Sequence, residues 1–320
     1  MSVFGHWPQM EKEIEEEQYD ADNYEAKMYG SALPEFNDLE KAEAIDAATA
    51  RKGPHVGFMQ GRVKFFNMLL RQIKRCGIQI QWGKRITEYY EKEEAGVGGT
   101  VLENCEHLEA DIIVAAERIK TTSVQLLTGY SPEPKDSGQS MYRTGYAPDF
   151  TKHDPAVLEH WPVKPGDKPE WQFWLSNGLH LSAMISSDMV VWGLTHEDEY
   201  GNDCDETYDW QPNADPNLVH WELRWRDLNR QWTSDGGRIV QVGDSAHPFL
   251  PASGNGATQA LEDAVSLAKC LQLAGRSNAA VATKVHNRLR YERFSCAQMM
   301  SFVNTQQHHF TDWTMIAVNP

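Results

Sequence analysis

Residues 243–264 read GDSAHPFLPASGNGATQALEDA. An apolar stretch, Ile239–Val242, leads into Gly243-Asp244, a loop rich in Gly, Pro and Ser follows, and the pattern predicts a helix from about Asn255 to Ala274. Small residues stand where backbone must approach something closely. A helix amino terminus exposes unpaired N–H groups at its positive end, so it stabilises an anion or an electron-rich oxygen. An acid just past the carboxyl end of the strand, Asp244, is placed to accept from a sugar-like hydroxyl. The plain alternative is a strand–helix connection that merely needed flexible residues. Against it stand Gly243, Asp244, His247, Pro251, Gly254, Gly256, Ala257, Glu262 and Asp263, arriving in this order.

That order resembles the second flavin-binding motif of FAD-dependent aromatic hydroxylases, the group with the para-hydroxybenzoate hydroxylase fold. It is most similar to the salicylate-hydroxylase-like monooxygenases of fungal secondary metabolism. The resemblance implies that Asp244 contacts the ribityl chain of FAD. It also implies that the segment from Pro248 through Gly254 and Gly256 to Ala257 passes beside the isoalloxazine ring, whose reduced, anionic edge the following helix supports. The likeness runs over roughly residues 55–320. In HVGFMQGRVKFFNMLL, Arg62 matches the family arginine that approaches FAD, with a cap on its own helix as the alternative. In YRTGYAP, Arg143 stands where the family often has an arginine entering the substrate cavity, the candidate catalytic residue; an ordinary salt-bridge partner is the alternative. WTSDGGRIVQVGDSAHPF and LRYERFSCAQ are also similar to family sequence.

The same family opens with strand–GxGxxG–helix, which holds the ADP pyrophosphate, and no such fingerprint occurs in this sequence. Gly96-Val97-Gly98-Gly99 is the one dense glycine run; charged residues precede it and no helical pattern follows, so it reads as a turn. Residues 1–54 are acidic and offer no apolar strand for a βαβ unit. Relative to the family, about the first hundred residues are expected to be lacking. FAD would then be held, with weakened affinity, through Arg62, Asp244 and the 254–257 loop. A second motif is altered: where the family has Ala-Asp-Gly, this chain has Ala116-Glu117-Arg118. If that family glycine has positive φ, an arginine there costs about 1–2 kcal/mol.

Outward from these motifs, GRVKFFNMLLRQIKRCG puts Val63, Phe66, Leu69, Leu70 and Ile73 on one face of a predicted helix ended by Gly77. IQIQWGKRITEYYEKEE alternates, and TVLENCEHLEADIIVAA continues in extended form, its ADIIVAA a compact run of the kind buried in a parallel sheet. Eight of the eleven tryptophans fall in residues 125–235, where HLSAMISS and MVVWGLTH read as antiparallel strands. A last helical region is predicted near Asn278–Phe310.

Length and 41% apolar content suit a globular chain with a sizeable core. The net charge of −16 repels phosphate backbones and argues against nucleic acid as a partner. Part of that excess is local: residues 9–46 hold 13 Asp/Glu against 3 Lys, read as a solvated helical face or a loose arm. Five cysteines without a CxxC pair indicate neither a disulfide framework nor a zinc site. The His308-His309 pair shows no partner at ligand spacing, so no metal site is expected. No membrane segment and no secretory signal are visible, and a cytoplasmic location is the expectation.

These readings combine into a mixed α/β (α+β) chain: an incomplete FAD-binding Rossmann-like domain, residues 1–124 and 236–320, with an inserted antiparallel-sheet substrate domain, residues 125–235. The implied function is an FAD-dependent monooxygenase with NAD(P)H as reductant, acting on an aromatic, polyketide- or terpenoid-type small molecule. The alternative is a flavin-free cyclase, isomerase or dehydratase, or an accessory chain, reusing the same fold.

Overall fold

The computed structural model describes residues 6–17, 25–30, 61–147, 155, 169–199 and 218–310. Along the chain these form α1 (Pro8–Glu17), β1 (Glu25–Gly30), α2 (Arg62–Arg75), β2 (Ile86–Lys92), β3 (Val97–Leu102), β4 (His107–Ala110), β5 (Ile113–Ala115), α3 (Ser123–Thr128) and β6 (Lys135–Tyr146). They continue with β7 (Glu170–Ser176), β8 (Leu179–Ile185), β9 (Val190–Glu197), β10 (Val219–Trp225), β11 (Ile239–Gln241), α4 (Gly256–Ala274) and α5 (Ala279–Phe310). Two compact units emerge, one of residues 1–80, 138–222 and 307–320 and one of residues 81–137 and 223–306.

The first unit is organised by a six-stranded sheet of order β1-β7-β8-β9-β6-β10. Strands β7, β8, β9 and β6 pair antiparallel, with Arg143 opposite Gly193, Gly193 opposite Ser182, and Ser182 opposite Phe173. HLSAMISS and MVVWGLTH are therefore the antiparallel strands their alternation predicts. Ala183, Ile185 and Val190 form a buried cluster under Tyr146 and Trp192. Strand β1 adds to the edge parallel to β7, Glu25 opposite Glu170. Residues 1–54 are expected to offer no apolar strand for a βαβ unit, and β1 is not one: EAKMYG lacks an apolar run, and this edge strand is held by backbone pairing with one neighbour.

Helix α2 forms where its period predicts, but the predicted apolar face is not the buried one. Val63 is 70% and Phe66 50% exposed, whereas Met68 and Gln72 are buried. The reason is the docking of α1: Met10 and Ile14 are buried, and Glu13 and Glu17 reach Arg71 at 2.9 and 3.3 Å, with Glu13 also on Arg75. Those contacts also give part of the acidic amino-terminal stretch a partner.

In the second unit, β2, β3 and β4 form an antiparallel meander, and β5 pairs parallel with β11, Ile113 opposite Ile239. The continuous extended segment expected after Thr100 is broken into β3, β4 and β5, with Cys105 at φ 64° in the connecting turn. The glycine run is only partly a turn. Gly96 (φ +65°) closes it, while Gly98 and Gly99 lie inside β3. A Cβ on Gly98 would sit 2.7 Å from the Arg238 carbonyl oxygen, and one on Gly99 would meet the Tyr90 ring. These glycines thus serve close strand packing. Tyr89, Ala115 and Ile239 centre one core; Trp232, Ala246 and Phe294 centre another.

The turn before β11 is built by one distant carboxylate. Glu91 Oε1 accepts from the Arg238 amide (2.7 Å) and the Ser234 hydroxyl (2.5 Å), and Oε2 from the Gly236 amide (3.0 Å). Gly237 has φ +74°, and a Cβ there would lie 2.5 Å from the Ala280 carbonyl oxygen. Asp-Gly-Gly in WTSDGGRIVQVGD is therefore required by a left-handed residue packed against α5.

Candidate functional site

Within the second unit, β11 closes at Gln241, Val242 continues in extended backbone, and Gly243–Ser245 forms a single 3-10 turn packed on α4. Gly243 has φ +58°, and its own N–H donates to Asp263 Oδ2 at 2.9 Å. Asp263 is fully buried and also accepts from His247 Nε2 at 2.5 Å and Arg290 Nε at 2.6 Å. Burial alone would raise the Asp263 carboxyl, but the His247 and Arg290 hydrogen bonds and the Gly243 amide outweigh it and hold it below its ordinary value. Arg290 continues to Glu262 (2.6 Å) and Gln259 (2.7 Å), and Arg293 caps the network on Glu262. The His247 ring stacks on Phe294 with centroids 3.6 Å apart. His247 is thus a buried strut of the loop, not a free base.

Asp244 differs from its neighbours. It is exposed, and its carboxylate has no hydrogen bond or ion pair among the described residues. Beyond it, Gly254 takes φ +64°, and a Cβ on Gly254 or on Gly256 would meet nothing within 4 Å. Asn255 gives α4 no side-chain cap, and the first intrahelical bond is donated by Gln259. The amides of Gly256, Ala257 and Thr258 therefore have no intrahelical acceptor. Pro248 is buried behind this stretch, its carbonyl 3.4 Å from Gln298 Nε2. An open helix terminus beside glycines, with one unpaired carboxylate, suits a flat ring with an anionic edge that carries a hydroxylated chain. The residues present fit the flavin half of FAD.

The Ala116-Glu117-Arg118 motif lies in the same unit after β5. Arg118 has φ +74°, the left-handed conformation that glycine adopts without steric cost. Glu117 accepts from the Tyr89 hydroxyl and from Thr121 Oγ1 (2.9 Å). Burial, and then the Glu117 contact, push the Tyr89 phenol well above its ordinary range.

Within the first unit, Arg62 begins α2 after Gly61 and is exposed, and Arg143 lies on β6. Neither guanidinium has a salt-bridge partner among the described residues. Burial, and then the charge of Arg62, push Arg143 down from the usual guanidinium range. Two guanidinium groups that feel each other's charge, with no ion pair among the described residues, have the chemistry to meet an anionic or electron-rich group. The connection from Trp192 to Trp221, which looks short for the family, lies largely outside the described residues.

Sequence reasoning missed three features. The Glu91 clamp and the Arg290–Asp263 pair left only the quoted likenesses WTSDGG and LRYERF as signals. The third is a cluster of His180, His309, Glu197 and Gln139 on the sheet of the first unit.

A two-stranded parallel pair leads into a glycine-rich strand–loop–helix turn, and the other unit carries a largely antiparallel sheet, features in keeping with an FAD-binding monooxygenase fold. The comparisons agree. The sequence profile of the FAD binding domain family matches residues 10–293, and the chain belongs to that family; FAD is the cofactor this membership assigns. The chain is 43% identical over 353 aligned positions to the FAD-dependent monooxygenase dmxR9 of Cryptosporiopsis sp. (strain 8999), covering 100% of this chain and 66% of the relative. It is 41% identical to the FAD-dependent monooxygenase mdpD of Emericella nidulans, covering 100% and 67%. The likeness therefore includes the first 54 residues, and the chain spans about two thirds of the length of the curated relatives it matches. Among solved structures, CtdE in complex with FAD and substrate 4 superimposes with TM-score 0.80 at 20% identity, over 97% of this chain and 78% of that one. FqzB gives 0.77 at 24% identity, over 99% and 75%.

Proposed function

We propose that the chain works as an FAD-dependent monooxygenase that, with NAD(P)H as reductant, adds oxygen to an aromatic or olefinic secondary metabolite. The carrying observation is the open start of α4: a left-handed Gly254, an uncapped helix end and an Asp244 carboxylate unpaired among the described residues, next to a Gly243 amide that the buried Asp263 holds. Bound FAD, once reduced, supplies the reaction with molecular oxygen; the protein supplies placement and a dry cavity. In this proposal Asp244 holds the ribityl hydroxyls. The segment from Pro248 through Gly254 and Gly256 to Ala257 borders the ring, and the α4 amides stabilise its anionic edge. Arg62 is proposed as a further flavin contact, and Arg143 as the residue that meets the substrate. Residues 125–235 are proposed as the substrate domain within the FAD-binding chain.

The relatives, named FAD-dependent monooxygenases at 41–43% identity, support this reading over a flavin-free catalyst. No helix among the described residues is long and apolar enough to cross a membrane, and a cytoplasmic location is proposed with the function. The test is to titrate the purified chain with FAD and then to follow NAD(P)H consumption in the presence of candidate hydroxyaryl substrates. Saturable FAD binding with substrate-stimulated oxidation is expected. A chain that takes up no FAD but still converts substrate would replace this reading with the flavin-free one.

A further inference from the structure

The sheet of the first unit carries a buried chain of polar groups that neither the fold nor the flavin reading explains. His309 Nδ1 lies 2.7 Å from Glu197 Oε1, and His309 Nε2 lies 2.7 Å from His180 Nδ1. Gln139 Nε2, 2.7 Å from the same Glu197 oxygen and 3.0 Å from His309 Nδ1, fixes the carboxylate in place. His309 is fully buried and His180 almost so.

The chemistry of the partners sets the tautomers. A carboxylate only accepts, so in the relay the His309 proton sits on Nδ1 and donates to Glu197, and the Gln139 amide N–H donates to that same carboxylate oxygen rather than to Nδ1. Neutral His309 then accepts at Nε2, and His180 Nδ1–H donates to it. This leaves the lone pair on His180 Nε2, for which no partner exists among the described residues. Burial, then His309 and His308, push His180 down to about 3, so it stays neutral in this state.

The pairings Arg143–Gly193–Ser182 and Met141–Thr195–His180 are neighbouring rows two residues apart along each strand. Side chains two apart point to one face, so His180 and Arg143 share it. Strand spacing sets them on the order of 12 Å apart at the backbone. A fused aromatic ligand spans such a distance.

We infer that Glu197, His309 and His180 form a proton relay in which His180 Nε2 accepts the hydroxyl proton of a substrate lying on the Arg143 face. As the substrate O–H bond breaks, the new N–H bond forms at His180 Nε2. The His180 Nδ1 proton passes to His309 Nε2, and the positive charge comes to rest on His309 beside Glu197. Nothing is oxidised or reduced, and the return path restores each proton. An ionised hydroxyl makes its ring more nucleophilic toward oxygen transfer. His180 is then a catalytic residue, and His309 and Glu197 are positioning residues. The inference deepens the monooxygenase reading and rests on it for the reaction, though not for ligand binding. The competing account is a structural tie: the His309 carbonyl accepts from the Gly178 amide at 3.0 Å and anchors the end of α5.

The two accounts separate with alizarin, a hydroxyaryl probe whose colour changes on ionisation, and its dimethyl ether. The titratable groups facing His180 are Glu197 of β9 and His308 and His309 of α5. Alizarin bound to the unmodified chain is expected to ionise about one pH unit lower than in solution. Glu197→Gln returns that ionisation toward the solution value. His180→Phe abolishes the shift and weakens alizarin binding about tenfold, while the ether binds all three proteins alike. The inference is overturned if the unmodified chain does not bind alizarin, or if its ionisation is the same in all three proteins. It is also overturned if both variants unfold by circular dichroism, which would make the cluster a structural tie. An FAD titration run in parallel keeps the readings apart. Loss of FAD binding by the unmodified chain sinks the monooxygenase reading and leaves the relay to be decided by the alizarin shift.

Discussion

Arg290 Nε lies 2.6 Å from Asp263 Oδ1, with both side chains buried, and the second oxygen of that carboxylate holds the Gly243 amide and His247. One buried charge thus ties α5 to the strand–loop–helix turn that defines the flavin site. Removing one partner of a buried pair leaves the other uncompensated. Asp263→Asn is therefore expected to lower stability by about 3–5 kcal/mol, measured by urea denaturation. The same variant should lose FAD affinity, because the loop it pins becomes free.

The Asp263 carboxyl is held below its ordinary value when folded, so its contribution is present above the unfolded value, near pH 4, and disappears as pH falls through the folded one. Denaturation midpoints should fall steeply below about pH 4 in the unmodified protein. The part of that fall due to Asp263 should vanish in Asp263→Asn. An unchanged acid profile would place the acid-sensitive group elsewhere.

Gly237→Ala meets two obstacles together, a φ of +74° and the Ala280 carbonyl oxygen 2.5 Å from the new Cβ. Strain and overpacking together should cost about 2–4 kcal/mol, read from the same denaturation curves. Arg118→Gly should act in the opposite sense. Relief of a left-handed arginine returns about 1–2 kcal/mol, of which the added freedom of glycine in the unfolded chain removes about 0.5–1. The net expectation is a small rise in the midpoint.

The flavin turn was legible in sequence because its signals are local: an apolar strand, a Gly/Pro/Ser loop and a helical period all lie within residues 239–274. Arg118 could be expected in a left-handed conformation because the family residue it replaces is glycine, whose special use is positive φ. What stayed illegible depends on partners far apart in the chain. Glu91 clamps a turn 143 positions away, and His180 meets His309 across 129. No local pattern announces either contact, and the His308-His309 pair looked partnerless for that reason. Strand β1 was missed on similar grounds, since its pairing with β7 is a backbone matter and EAKMYG carries no period. On α2 the apolar stripe was visible, but the salt bridges to α1 turned a different face inward.

Gly256 offers the cleanest separation of cofactor binding from folding. A Cβ there meets nothing within 4 Å, and the residue opens α4 in ordinary backbone geometry, so Gly256→Ala introduces neither clash nor strain. Alanine is the better helix former by up to about 1 kcal/mol, and stability should hold or rise slightly. If a flavin ring lies against this position, the same methyl fills its space, and FAD affinity should fall about tenfold or more. Asp244→Ala supplies the matched control on the ribityl side: its carboxylate has no protein partner among the described residues, so folding should be unaffected while FAD affinity drops about tenfold. Calorimetric titration with FAD beside thermal denaturation reads both effects. Unchanged affinity in both variants, with folding intact, would mean that the open start of α4 is not where the flavin sits.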